Sequence, residues 1–83
     1  MEELARTAKQ VGAILRRRRR RLGLSQAELG ERAGVRQATI SSLESGEQGA
    51  RLKTVCDVMS VLGVEFVIRD RSKLSIEALA DGA

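Results

Sequence analysis

Apolar residues recur at helical spacing in the first part of the chain and predict an amphipathic helix. The positions concerned are Ala8, Val11, Ile14, Leu15 and Leu22. At 100° per residue they fall within about 120° of arc, which is one face of a helix. Thr7 followed by Gln10 is typical of a helix start, because the hydroxyl caps a free backbone N–H. Gly23 predicts the end of this helix.

Two short helical patterns separated by a glycine turn follow. Ser25 and Glu28 have the spacing of a capping box and predict a helix start, and Gly34 predicts the end of the same helix. A further helix is predicted over Gln37–Glu44 and is closed by Gly46. Because so few residues separate the two helices, they must cross steeply. This arrangement is the helix-turn-helix pattern.

A fourth helix and one strand complete the pattern. The helix has its apolar positions on one face, at Leu52, Val55, Cys56, Met59 and Leu62, and ends at Gly63. Val58 and Val61 lie off that face and need another cover. Residues 64–69 are rich in β-branched and aromatic side chains and predict a strand of about five residues. No other segment of the chain offers this strand a partner.

The unpartnered strand predicts a twofold homodimer. An isolated apolar strand has no ladder and is prone to aggregate, whereas a second copy supplies an antiparallel partner. The predicted interface residues are Val58, Val61, Val64, Phe66, Val67 and Ile68. The alternative is a short extended tail that folds on its own helices. In the leading interpretation, residues 1–71 form the DNA-binding domain with its dimerisation strand at 64–69, and residues 72–83 form a mobile tail.

Composition restricts the chemistry that is open to the chain. Its 83 residues are enough for one domain, and they include no His and only one Cys. The chain therefore lacks a histidine base, a zinc ligand set and a disulfide. We expect no metal, no cofactor and no catalysis. The single Cys and the lack of an apolar run of roughly 20 residues indicate a cytoplasmic protein.

The positive charge is concentrated near the start of the chain. Residues 1–21 hold eight Lys or Arg and two Glu, a balance of +6, whereas the remainder has a balance of −2. Such a local field favours a polyanion, which is either nucleic acid or an anionic lipid surface. A membrane role ranks behind DNA, because the core already needs the apolar stripe of the first helix.

The third predicted helix presents an uncharged, hydrogen-bonding face. Ile40 and Leu43 point to one side. The opposite arc holds Gln37, Ala38, Ser41 and Ser42. Gln can bond an adenine edge, Ala can contact a thymine methyl and Ser can serve either base, while Arg36 can reach guanine or phosphate. An ordinary solvated face is the alternative, but the capped helix and glycine turn before it favour a recognition helix.

The arginine run from Arg16 to Arg21 is divided by the helical wheel. Arg18 falls inside the apolar stripe and must bury its stem, while Arg19 lies on the flank of that stripe. The others lie on or near the outer face and are expected to attract DNA at long range. Arg19 is also a candidate ion-pair partner for Glu44, although spacing alone equally allows two exposed, unpaired charges.

Four segments together resemble the Cro/C1-type (XRE-like) repressor domain, over about residues 8–64. They are Leu22–Leu29, Ala33–Val35, Ile40–Gly46 and Leu62–Val64. Within that family the Gln37–Ser41 sequence and the strand after helix four are most similar to the HipB antitoxins. These antitoxins repress their own operon and bind a HipA-type kinase toxin.

The resemblance implies an all-α, lambda-repressor-like fold of four to five helices, with the short strand pairing in a homodimer. It implies a sequence-specific repressor that binds double-stranded operator DNA and, as an antitoxin, a HipA-like kinase. Two other interpretations stay open, namely a free-standing regulator without a toxin and a module that mainly holds a protein partner.

The resemblance also assigns roles to individual residues. By this resemblance, Ser25 and Gln26 at the start of helix two contact phosphates. The positions that contact bases are Arg36, Gln37, Ala38 and Ser41, and the positions near the DNA backbone are Thr39 and Ser42. Arg19 and Glu44 match a structural ion pair of the phage repressors. The chain departs from the family in lacking the usual proline near position 50 and a tail tryptophan.

Overall fold

The computed structural model describes residues 2–47 and 49–71, and these ranges contain four helices and no strand. The helices are α1 (Ala8–Arg21), α2 (Gln26–Ala33), α3 (Gln37–Ser45) and α4 (Leu52–Leu62). The all-α helix-turn-helix fold predicted from the sequence is therefore confirmed. None of these helices is long and apolar enough to cross a lipid bilayer. The predicted mobile tail at 72–83 lies outside the described residues.

The first two helices begin at the capping residues that the sequence predicts. Thr7 Oγ1 accepts the backbone N–H of Gln10 at 3.1 Å. At the start of α2 the capping box is complete, with both bonds between Ser25 and Glu28 at 3.0 Å. The backbone N–H of Ser25 holds the pKa of the Glu28 carboxyl below its ordinary value. Both helix starts are thus determined by residues at most three positions apart.

The turn between α2 and α3 depends on Gly34. This residue closes α2 in the left-handed conformation, with φ at +73° and ψ at 30°. The next amide, that of Val35, donates to the carbonyl of Gly30 at 2.8 Å, and α3 begins two residues later. A side chain in this conformation is strained, which is why glycine is the usual residue here. The chain therefore changes direction within three residues.

One apolar core lies between the four helices. Its buried side chains are Leu15, Leu24, Leu29, Ile40, Leu43, Val55, Val58, Met59 and Leu62. The helices α1 and α2 each pack against both α3 and α4. As a result, α3 is supported from beneath along its apolar side.

Five residues differ in solvent exposure from what the sequence pattern predicts. The sequence pattern predicts that Ala8 and Leu22 are buried, but both are exposed, because Ala8 is the first residue of α1 and Leu22 follows its last residue. Leu52 and Cys56 on α4 are also exposed, whereas Val58 is only 1% exposed. The helix α4 is covered by α1 and α2 together, which turns its buried face toward Val58. Val58 is therefore covered within the single chain, and its place in the dimer interface stays a prediction.

Helices α1 and α3 come into close contact at Gly12. A Cβ added there would overlap the carbonyl oxygen of Leu43 and lie 2.7 Å from that of Glu44. Any side chain at this position would push the two backbones apart. Glycine thus lets α3 lie directly against α1, and this contact brings Glu44 beside Arg19.

Residues 64–71 have no regular secondary structure in the single chain. Val64 packs against the core, but the following apolar residues do not. Phe66 is 50% exposed and Ile68 is 97% exposed. A strand needs a partner for its hydrogen bonds, so the two-stranded ribbon and the dimer stay predictions that involve a second copy.

Candidate nucleic-acid interface

Helix α3 has a buried side and a solvent-facing side, as its sequence pattern predicts. Ile40 and Leu43 are buried in the core. On the other side Gln37, Ala38 and Ser41 are exposed, and Thr39 and Ser42 are partly exposed. The outward residues are therefore held in place from below by the packing of the two apolar residues.

Three further candidate residues lie at helix starts. Ser25 is exposed, and because its Oγ only accepts a bond from Glu28, its hydroxyl proton can still be donated. Gln26 is partly buried, and its Nε2 donates to Glu44 Oε1 at 3.1 Å. Arg36 is the exposed N-cap of α3 and makes no side-chain capping bond. Its guanidinium is not used to start the helix.

The structure brings Arg19 and Glu44 together in a buried, two-bond ion pair. Arg19 Nε lies 2.6 Å from Glu44 Oε2, and Nη2 lies 3.0 Å from Oε1. The remaining guanidinium nitrogen, Nη1, donates to the carbonyl of Leu24 at 2.8 Å. Parallel bonds of this kind restrict both side chains to one orientation.

The pair controls the protonation of both partners. Burial on its own would raise the pKa of the Glu44 carboxyl, but hydrogen bonds from Arg19 and Gln26, with the charges of Arg19 and Arg16, outweigh it and lower the pKa. The hydrogen bond to Glu44 in turn raises the pKa of Arg19 against the opposing effect of burial. Both groups are therefore charged at neutral pH.

Glu44 connects three helices at the edge of the candidate interface. It belongs to α3, is bound by Arg19 from α1 and is bound by Gln26 from the start of α2. Gln37 and Ser41 precede Glu44 by seven and three residues and therefore lie along the same side of α3. The start of α2 is thus fixed relative to the outward side of α3. Sequence reasoning missed the bond of Gln26, because nothing local relates residues 18 positions apart.

The arginines of α1 differ in what they contact. Arg18 is partly buried, as predicted, and its Nε donates to the carbonyl of Leu62 at 3.0 Å. Arg17 is held by Glu3 at 2.5 Å, on the outer side of the helix. Arg16 and Arg20 are exposed. The run is therefore not one uniform basic face.

Comparison with known proteins agrees with this geometry. The sequence model of the family HTH_3, described as helix-turn-helix, matches residues 15–68. An uncharacterized HTH-type transcriptional regulator of Methanothermobacter thermautotrophicus is 39% identical over 54 residues, which are 65% of this chain and 78% of that protein.

Two solved structures have a similar fold. One is a complex of a HipB variant with an O2 20mer, with a TM-score of 0.80 and 25% identity over 87% of this chain and 100% of the other. The second is a complex of HipA, HipB, O2 and O3, with a TM-score of 0.79 and 24% identity over 86% of this chain and 100% of the matched chain.

Proposed function

The chain belongs to the helix-turn-helix family HTH_3, and on that premise we propose that it is a sequence-specific DNA-binding transcriptional repressor without catalytic activity. The observation that carries the proposal is the outward side of α3. It presents uncharged hydrogen-bonding groups over a fully buried apolar side. A helix of this kind, behind a short glycine turn, has the shape and chemistry to enter the major groove.

Base recognition is assigned to the first two turns of α3. The amide of Gln37 bonds an adenine edge in bidentate fashion, Ala38 contacts a thymine methyl and Ser41 bonds a neighbouring base. Arg36, exposed at the helix start, reaches guanine or a phosphate. The exposed positions of these residues support the assignment.

Contacts to the DNA backbone are assigned to the start of α2 and to the edge of α3. Ser25 and Gln26 contribute a hydroxyl and an amide at the start of α2. Thr39 and Ser42 contribute hydroxyls from the other side of α3, which faces the loop at Glu47 and Gly49. Such contacts position the protein and carry no sequence information. The bond from Gln26 to Glu44 supports this role, because it holds the amide beside the recognition helix.

We place two copies of the chain on a palindromic operator, in the cytoplasm. The copies pair through Val61, Val64, Phe66, Val67 and Ile68, as two antiparallel strands. The exposure of Phe66 and Ile68 in the single chain supports this pairing. Half-sites would then lie about 34–36 Å apart, or a multiple of that distance.

Footprinting on the DNA upstream of the protein's own gene, at low salt, tests the repressor function. We expect a protected palindrome. A double variant, Gln37→Ala with Ser41→Ala, alters only exposed side chains and should fold normally but lose the protected pattern. If the unsubstituted protein protects no palindrome, the repressor function is wrong.

We further propose that the protein is the antitoxin of a HipBA-like operon. The likeness to the HipB structure at a TM-score of 0.80 supports this role. The test is to express the protein together with the product of the neighbouring gene and to purify the complex. A kinase-like product that co-purifies supports the antitoxin role, and a neighbouring product that does not bind contradicts it. The protein would then be a free-standing regulator.

A further inference from the structure

The exposed arginines of α1 lie on two different sides of the helix. Arg16 and Arg20 are one turn apart and differ by about 40° around the axis. Arg17 lies about 100° from Arg16 and about 60° from Arg20 around the axis, so Arg16 and Arg17 form the sharper comparison. Substitutions in the run therefore compare two sides of one helix at nearly the same height along its axis.

Two backbone contacts and one electrostatic effect identify the side of α1 that faces α3. The backbone of Lys9 lies against Gly46, and that of Gly12 lies against the carbonyls of Leu43 and Glu44. The charge of Arg16 acts on the Glu44 carboxyl. Lys9, Gly12 and Arg16 therefore form a stripe along α1 on its α3 side. Arg20 continues this stripe by one turn.

This stripe is continuous with the candidate interface. Glu44 accepts a bond from Gln26 at the start of α2 and lies two turns beyond Gln37 on α3. Its carboxylate is already occupied by the two bonds from Arg19. In the part of the chain that the structure describes, no acidic side chain is bound to Arg16 or Arg20, whereas Glu3 binds Arg17.

We propose that Arg16 and Arg20 bind DNA phosphates beside the base contacts of α3, and that Arg17 does not reach the DNA. This inference rests on the proposed repressor function. A guanidinium matches a phosphate with two parallel bonds, and each such contact releases a condensed counterion. Two of the six arginines therefore extend the interface, while Arg17 serves to hold the segment that precedes α1.

The salt dependence of binding tests the assignment. Single variants Arg16→Gln, Arg20→Gln and Arg17→Gln remove the same charge from the same helix, and glutamine keeps a similar helix propensity. Affinity for the footprinted operator and for a scrambled duplex is measured over a range of salt, with thermal unfolding as a check on folding. Each lost phosphate contact should reduce the slope of log affinity against log salt by about 0.9 on both duplexes.

We expect this reduction for Arg16→Gln and for Arg20→Gln, about twice the reduction for the double variant, and an unchanged slope for Arg17→Gln. If Arg16→Gln and Arg17→Gln reduce the slope equally, the whole arginine run attracts DNA through a diffuse field. That result would overturn the assignment. An unchanged slope in the double variant would also overturn it. Neither result affects the footprint of the unsubstituted protein, which tests the repressor function separately.

Discussion

Neither partner of the buried ion pair can be removed alone without leaving an uncompensated charge. The variant Glu44→Gln keeps the shape of the side chain but leaves the Arg19 guanidinium buried without its counter-charge. We expect the free energy of unfolding to fall by about 3–5 kcal/mol. Denaturant unfolding measures this change.

The exposed pair of Lys53 and Asp57 provides a matched control for that prediction. Their charged atoms lie 2.8 Å apart on the surface of α4, at the i,i+4 spacing. Asp57→Asn is the same acid-to-amide change and should alter the free energy of unfolding by at most about 0.5 kcal/mol. Equal losses in the two variants would show that the burial of Glu44 is unimportant.

The pH dependence of stability follows from the same carboxylate. The pKa of Glu44 in the folded protein lies below its ordinary value of 4.5, so its ionised form stabilises the fold above that pH. This contribution is lost as the pH falls through the lower, folded-state pKa. The free energy of unfolding should therefore decrease below about pH 4.5.

Variants at Glu44 and Glu28 show how much each carboxylate contributes to the loss of stability at acid pH. The pKa of Glu28 is also lowered, so it contributes in the same direction. Glu44→Gln and Glu28→Gln should each remove part of the decline, as measured by denaturant unfolding from pH 3 to 7. An acid decline that is identical in Glu44→Gln and in the unsubstituted protein would contradict the coupling.

Base specificity is tested at Gln37. The variant Gln37→Ala removes a bidentate donor and acceptor, so discrimination at one base pair should weaken by about 1–3 kcal/mol. Affinities for a set of operators with single base-pair changes measure this effect. Ser60→Ala, an exposed change on α4, should leave every discrimination intact. Uniform weakening across the set by Gln37→Ala would instead indicate a phosphate contact.

At the scale of helices, the close contact of α1 and α3 reverses the usual preference of a helix for alanine over glycine. Alanine normally favours a helix over glycine by about 1 kcal/mol. At Gly12, however, a Cβ would overlap the backbone of α3, so Gly12→Ala should lower the free energy of unfolding by about 1–3 kcal/mol. Thermal and denaturant unfolding measure the sign of this change in the free energy of unfolding.

The reverse substitution, from alanine to glycine at an exposed position, measures the effect of helix propensity alone. Ala27 is exposed in the first turn of α2, and Ala27→Gly should cost no more than about 1 kcal/mol. If Gly12→Ala is stabilising, then α1 and α3 do not approach as closely as the structure indicates.

Helix starts and ends were accessible from the sequence, whereas the rotation of one helix was not. Ser25, Glu28 and Gly34 act through bonds within a few residues, and α2 begins and ends where they predict. The buried side of α4 depends instead on two other helices. The solvent exposure of Val58 and Cys56 is consequently the reverse of the expected one, because Val58 is buried and Cys56 is exposed.

At the scale of the whole molecule, the proposed dimer can be tested at Ile68. This side chain is 97% exposed in the single chain, and Ile68→Asp should abolish dimerisation by placing a charge in the apolar ribbon. Sedimentation equilibrium measures the mass. Leu52→Asp introduces the same charge at a position that is 69% exposed on α4 and should leave the dimer intact.

A shortened chain that ends at Gly63 provides a second test of the same surface. It retains all four helices and lacks the whole predicted strand. We expect it to sediment as a monomer. A dimer that persists in this chain and in Ile68→Asp would exclude residues 64–69 from the interface.

The sequence by itself determined the order of the four helices, the glycine turn after α2 and the outward side of α3. Each of these depends on spacing or capping among near neighbours, which the order of residues specifies directly. Only the tertiary structure decided that Gln26 binds Glu44, that Val58 is buried and that Arg16 lies on the α3 side of α1. Such contacts depend on how helices cross and rotate against each other, and no local pattern encodes the angle of that packing.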